Sequence, residues 1–392
     1  MVVALLVIDS GGIGDAPDAA AFGDHGASTI AHALAAHPLP LPHLAAMGLS
    51  DLIPLTGTDP VPVSGASAAI NPRARGKDTL AGHWEMMGEV LEEPFRTYPE
   101  GFPADVVEQL ETAFDRAILG NRAASGTAII EELGECHMRT GRPIVYTSAD
   151  SVLQIACHEE VVPLETLYAW CRAARSIMSG PRRVGRIIAR PFVGSPHGFV
   201  RTAHRHDYAV APPAGIFTER FRAAGVQMEA VGKIWDIFSG RGFQTARPTA
   251  SNREGLELTA ALARDLRAHE RALVFTNLVE FDSHYGHRRD PDGYARALQE
   301  LDAALPALQE ALGADGQLYI TADHGCDPTL AGSDHTREQV PLLAAGAGIR
   351  PGRIGDRNTL ADIGATLGEL FSVPLPPVGA SFWGEIGDGR LL

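Results

Sequence analysis

Three β-prone runs in this chain each deliver an aspartate at or just beyond their ends, and that repetition restricts the folds open to it. VVALLVI at 2–8 runs into Asp9, the run at 272–279 is followed by Asp282, and QLYIT at 317–321 leads through Ala322 to Asp323. The first run is apolar throughout rather than alternating, as expected of a parallel strand covered on both faces. Further strands are expected at 227–231 and 340–345, with helical spacing over 253–269, 294–312 and 360–371, the last capped by Asn358 or Thr359. The expected fold is therefore α/β, a mostly parallel core sheet with helices on both faces. In such sheets ligands gather outside the carboxyl ends of the strands, so acids placed there mark a crevice.

Composition narrows the classes of function. With 392 residues and 45% hydrophobic content the chain can bury a large core, and its length suits two domains or one with a large insertion. A net charge of −15 argues against nucleic acid or an anionic membrane as partner. An anion would have to meet local positive charge, from metal ions or a few arginines. No apolar run approaches the ~20 residues of a spanning helix, and the apolar start ends in an acid with no basic leader. Four cysteines without CxxC spacing suit a reduced, cytoplasmic chain. Cys326, close to the third aspartate, reads as a bystander thiol.

Along the chain, SGGIGD at 10–15 is a turn without the glycine spacing of a dinucleotide fingerprint, and residues 16–75 read as loops and short helices. GKDTLAGHWE at 76–85 is dense in reactive groups. It is not a Walker A loop, since Lys77 is followed by Asp78. Thr79 has two compatible roles there: N-cap of a helix, or a hydroxyl that carries a phosphate where the helix N-terminus favours one. From about residue 92 a linker-like PFRTYPEGFP opens a second set of α/β elements, with helices expected at 104–114 and 164–178 and strands at 144–147 and 184–189. Arg182, Arg183, Arg186, Arg190, Arg201 and Arg205 crowd the end of this block, as a phosphate-reading surface or as a solvated charged face. After APPAG at 211–215 the first texture returns. The expected division is a core of 1–92 and 212–392 and an inserted, smaller α/β cap of 93–211.

Asp9, Asp282 and Asp323 are joined by His287 and His324 in the same loops and by His335 beyond a Gly/Asp/Pro/Ser-rich turn. Several carboxylates in one crevice repel unless cations neutralise them. Six such ligands suit two ions, and the mixed oxygen and imidazole set fits Mn²⁺ or Zn²⁺. Paired ions clamp the two oxygens of a phosphoryl displacement and activate a bound hydroxyl, which a threonine needs.

GKDTLAGHWEMMG, YTSADSVLQIA, FDSHYGHRRDP and TADHGCDP followed by SDHTREQVPLL resemble the phosphopentomutase family of the alkaline phosphatase superfamily, and the likeness runs from VIDSGGIGDAPDA to ADIGATLGELF. The resemblance implies Asp282, His287 and His335 as ligands of one divalent ion, most often Mn²⁺, and Asp9, Asp323 and His324 as ligands of the other. It implies Thr79 as the residue that carries the phosphoryl group. Ser148, Asp150, Val152, Arg186, Ile188 and Lys233 match or adjoin positions that bind the sugar phosphate. The implied reaction interconverts ribose 1-phosphate and ribose 5-phosphate, and the 2-deoxy sugars, through a bisphosphate, with a sugar bisphosphate as activator and pentose phosphates as the small-molecule partners. A cap that shuts out water would separate such a mutase from a phosphatase. A phosphomonoesterase, a sulfatase or another phosphosugar mutase on the same metal core stays open as the alternative, although the threonine and its GKDTLAGHWE context disfavour enzymes with a serine nucleophile. A metal-stabilised binding protein without turnover is the rival outside enzymology.

Overall fold

The computed structural model describes residues 1–148, 151–269, 271–332 and 334–389. The chain divides into two compact units, Met1–Pro94 with Pro212–Leu392, and Phe95–Ala211.

The first unit is built on an eight-stranded sheet. Val2–Ile8 lies inside it, fully buried as its unbroken apolar sequence demands, and pairs in parallel with Ala272–Leu278 on one side and Gln317–Ala322 on the other. Gln227–Val231 and Thr245–Arg247 extend the parallel array. Beyond Gln317–Ala322 the strand Val340–Gly346 runs antiparallel, and Ala66–Ile70 and Gly352–Arg353 then restore the first direction. One described strand of the eight thus opposes the rest, in keeping with the mostly parallel sheet read from the sequence. Ala66–Ile70 falls where only loops and short helices were expected. Its sequence, ASAAI, is buried at every position, and such small residues give neither alternation nor β-branched enrichment to read. Asn252–Asp265 and Pro291–Leu312 fill the helical positions, and the latter buries Leu298, Leu301, Leu305 and Leu308 along one stripe. The helix Ala361–Leu370, expected at 360–371, is not begun by Asn358. Thr359 Oγ1 accepts from Ala361 N at 3.2 Å, and the buried Glu85 carboxylate reaches across to accept from Leu360 N at 2.8 Å.

The second unit carries its own sheet, ordered Leu119–Ala123, Ile144–Thr147, Val152–His158, Arg186–Val193 and Val200–Arg201, with His206–Ala209 also on Arg186–Val193. Helices Ala104–Phe114, Gly126–Thr140 and Leu164–Ile177 accompany it. The strand expected at 184–189 starts and ends later, because all of Val152–His158 pairs with Arg186–Phe192 in parallel. Two apolar clusters follow the strand periodicity. One takes Val145, Leu153, Ile155, Ile187 and Ala189 with Ala104–Phe114 and Leu164–Ile177, and the other takes Ile144, Tyr146, Ala156 and Phe192 with Gly126–Thr140. Successive side chains of a strand point to opposite faces, so each face of this sheet has its own helical cover.

Candidate active site

Strand register brings the aspartates together. Ile8 is level with Leu278 on one side and Ala322 on the other, so Asp9 and Asp323 leave neighbouring strand ends side by side. Asp282 and His287 are set by a π-helical turn, Phe281–Gly286, rather than a loop. Such turns are rare, and many occur at functional sites. A bridge between Gly325 and Thr336 folds the chain back and returns His335 to the cluster.

The imidazoles face the carboxylates. His324 Nε2 is 3.4 Å from Asp9 Oδ1 and 3.3 Å from Asp323 Oδ2, while His335 Nε2 is 3.2 Å and His287 Nε2 3.4 Å from the two oxygens of Asp282. The rings of His324 and His335 stack at 3.9 Å. Asp9 Oδ1, Asp282 Oδ1 and Asp323 Oδ2 are buried without a hydrogen-bond partner, a costly arrangement for carboxylate oxygens. The outer ring nitrogens are occupied: Nδ1 of His324 lies 3.1 Å from the Gly325 carbonyl and Nδ1 of His335 lies 2.8 Å from that of Lys77. That leaves Nε2 of each pointing inward at the carboxylates, the orientation of a metal-binding histidine. Asp9, Asp323 and His324 form one group with donor atoms in reach of a single ion, and Asp282, His324 and His335 form another. A third group joins Asp282 and His287 to Cys326, whose Sγ is 4.0 Å from His287 Nδ1.

The electrostatics agree with a cation-seeking site. Burial and the neighbouring Asp323 raise the pKa of Asp9, so its charge is disfavoured. Burial opposes a charged His324, yet Asp323 and Asp9 outweigh it and push the imidazole up to about 10. In Asp282 burial is likewise outweighed, here by His335 and His287, and its pKa is lowered.

Thr79 opens the helix Thr79–Met86, but it is not the cap. Asp78 accepts from Leu80 N at 3.1 Å and Ala81 N at 3.2 Å, which releases the threonine hydroxyl to face the cluster, 3.3 Å from His324 Nε2. Gly82 lets this helix touch the strand end, since a Cβ there would lie 2.2 Å from the Asp323 carbonyl oxygen. The preceding loop is held from below. Arg337 donates to the carbonyls of Pro72, Ala74 and Gly76 and to Asp18, and Lys77 pairs with Asp24 and Asp334.

Two residues escaped the sequence reading. His83 is fully buried, its Nδ1 2.9 Å from the Thr79 carbonyl and 3.2 Å from Asp323 Oδ2. Asn277 donates through Nδ2 to Asp9 Oδ2 at 3.2 Å and stands 3.4 Å from His83 Nε2. The spacing of four from Thr79 to His83, one helical turn, and the lone amide in an apolar strand were the available signals.

The substrate residues expected from the sequence lie in both units. Val152 and Arg186 are register partners on adjacent strands, with Ile188 two residues along, and Ser148 is half-buried just past Ile144–Thr147. Asp150 lies outside the described residues. Lys233 belongs to the first unit, exposed after Gln227–Val231.

The family model of the metalloenzyme superfamily matches residues 1–375. A phosphopentomutase of Caldanaerobacter subterraneus subsp. tengcongensis is 49% identical over 386 residues, covering 98% of this chain and 98% of the relative. A phosphopentomutase of Anaeromyxobacter dehalogenans is 53% identical over 386 residues, 97% of this chain and 98% of its own. This chain belongs to the phosphopentomutase family. It is a phosphomutase of a metalloenzyme superfamily, and its clustered carboxylates and imidazoles are donors suited to divalent ions. A phosphoglycerate mutase of Leishmania mexicana, crystallised at low cobalt concentration, shares the fold with a TM-score of 0.50 at 14% identity, covering 97% of this chain and 96% of that one. Among the described residues no helix is long and apolar enough to cross a membrane.

Proposed function

We propose that this enzyme interconverts ribose 1-phosphate and ribose 5-phosphate, and the corresponding 2-deoxyribose phosphates, by way of a phosphorylated Thr79. The observation that carries the reading is the convergence of three unpartnered carboxylate oxygens and three imidazole Nε2 atoms beside one threonine hydroxyl. Asp282, His287 and His335 would hold one divalent ion and Asp9, Asp323 and His324 the other, most often Mn²⁺. When bound, such ions supply Lewis acidity and make a nearby hydroxyl a competent nucleophile.

In this scheme the phosphoryl group on Thr79 passes to the free hydroxyl of an incoming pentose monophosphate, and its P–O bond to the threonine breaks as the bond to the sugar forms. The bisphosphate reorients, and Thr79 takes the other phosphoryl group, leaving the isomeric monophosphate. Because Asp78 caps the helix, the Thr79 side chain is free for this role, and the positive end of the helix favours the charge it carries. Ser148, Val152, Arg186, Ile188 and Lys233 are the proposed substrate contacts, with a sugar bisphosphate restoring any dephosphorylated Thr79. Relatives named phosphopentomutase support the substrate assignment.

The test is formation of ribose 5-phosphate from ribose 1-phosphate, stimulated by a sugar bisphosphate and by Mn²⁺, with peptide mass spectrometry locating phosphate on Thr79. Free phosphate as the main product would overturn the mutase reading in favour of a phosphomonoesterase.

A further inference from the structure

Strand register collects several polar groups on one face of the second unit's sheet. Tyr146 pairs with Gln154, Gln154 with Ile188, and Arg190 stands two residues beyond Ile188. Arg201 pairs with Phe192, two residues further on, so it shares that face and lies diagonal to Arg190. The helix Gly126–Thr140 packs on the same face through Ile129 and Ile130. Its N-terminus ends at the polar group, because a Cβ on Gly126 would lie 2.6 Å from the Tyr146 hydroxyl and 3.6 Å from Arg201 Nη1.

We propose that the unit Phe95–Ala211 carries a second phosphate-binding site here, made by the N-terminus of Gly126–Thr140 with Tyr146, Arg190 and Arg201. The helix runs for 15 residues, Ser125 does not cap it through its side chain, and its first turn holds no acid. It therefore presents an uncompensated positive end. The independent sign of a ligand is Tyr146: the residue is 0% exposed, its hydroxyl has no hydrogen-bond partner, and it is aimed at that helix end. A buried hydroxyl without a partner is destabilising unless something completes it. Arg190 stands beside that hydroxyl and donates through Nε to Gln154 Oε1 at 3.0 Å. Arg201 is exposed and has no acid partner among the described residues. Arg205 adds a third guanidinium near Tyr146, and its fork is engaged by Asp207. In a chain of net charge −15, such cationic convergence opposes itself until an anion joins it. Arginine forks, a hydroxyl donor and free helix amides match the oxygens of a phosphomonoester dianion.

The site is separate from the contacts proposed around Arg186. Arg186 and Arg190 are four residues apart on one strand, about 13 Å at the usual rise. Only the choice of a phosphomonoester as the anion rests on the pentose phosphate reading.

The experiment uses the Mn²⁺-loaded full chain. Crystals soaked in tungstate, a heavy-atom mimic of phosphate, should show anomalous density between Gly126, Tyr146, Arg190 and Arg201. In calorimetric titration with inorganic phosphate, Arg201→Gln should lose one class of sites or weaken it about tenfold. Tyr146→Phe guards against misfolding, because it removes only an oxygen without a partner: its melting temperature without phosphate should equal or exceed the parent's, and its phosphate-induced rise should be smaller. Tungstate confined to the Asp9 cluster, or unchanged phosphate responses in both variants, would overturn the proposal. Mutase turnover is measured separately, so its absence would remove the functional reading and leave the tungstate result to stand or fall alone.

Discussion

At the scale of single residues, the division of labour between Asp78 and Thr79 makes a sharp expectation. Thr79→Ala should abolish turnover and the phosphopeptide while leaving the melting temperature within a degree or two, since Asp78 and not Thr79 caps the helix. His83 should behave differently. It touches both the backbone of Thr79 and the carboxylate of Asp323, and Asn277 fixes which of its ring nitrogens donates. Loss of such outer contacts costs about 10- to 100-fold in metal affinity. His83→Leu and His83→Gln are therefore expected to weaken Mn²⁺ binding in a calorimetric titration by that order. His83→Asn, which returns an N–H near the position of Nδ1, should recover most of the affinity, and equal losses in all three would make His83 a space-filler. Asp9, Asp282 and Asp323 were legible as a set: one acid at a strand end is usually a cap or turn former, but three delivered by three strand ends would repel in a shared crevice without cations. His83 and Asn277 were not, because a lone polar residue on a buried face reads as an ordinary core residue until its partners are known.

At the scale of elements, the helix Thr79–Met86 is fixed at both its start and its flank. Asp78→Ala removes the side-chain acceptor for two amides and should cost about 1 kcal/mol, seen as a lower denaturation midpoint at unchanged slope. Asp78→Asn should restore most of it. Gly82→Ala attacks the flank. Its methyl would stand 2.2 Å from the Asp323 carbonyl, so either the helix or the strand end must move. We expect a loss of about 1–3 kcal/mol together with reduced bound metal, measured on the same preparation by denaturation and by elemental analysis. Normal metal content in a destabilised Gly82→Ala would show that helix position and ligand geometry are independent. The sequence announced this helix through its glycines and polar density. It misassigned the cap, because Asp78 and Thr79 are both good N-caps and only the backbone angles separate them. The π-helical turn behind Asp282 and the strand Ala66–Ile70 were silent for related reasons: the first has no periodicity of its own, and the second is a run of small residues.

At the scale of the whole molecule, the sheet and its mostly parallel sense could be read from the apolar runs, but strand order and long-range polar stitching could not. Glu338 is the main instance. It is fully buried and accepts from Gly14 N, Thr29 N, Thr29 Oγ1 and Thr336 Oγ1, joining segments more than 300 residues apart. Burial pushes its pKa up to about 7, and the hydroxyl and amide donors pull the other way without cancelling that effect. Between roughly pH 4.5 and 7 the folded chain keeps this proton while the unfolded chain has released it. The contribution of Glu338 is therefore greatest below that window and is lost as pH rises through it, by an amount on the order of 3 kcal/mol. Glu338→Gln holds a neutral side chain of the same shape. Its oxygen can face the two amides and its amino group the two rotatable hydroxyls, so the variant should fold. The stability difference between parent and Glu338→Gln should thus shift against the parent from pH 4.5 to pH 7 and stay level above it. The subtraction cancels Asp282 and Asp323, whose lowered pKa values bend the absolute curve the other way. Urea denaturation of both proteins at matched Mn²⁺ and stepped pH would measure it. A difference independent of pH would mean that the four donors keep Glu338 ionised in the fold throughout that range.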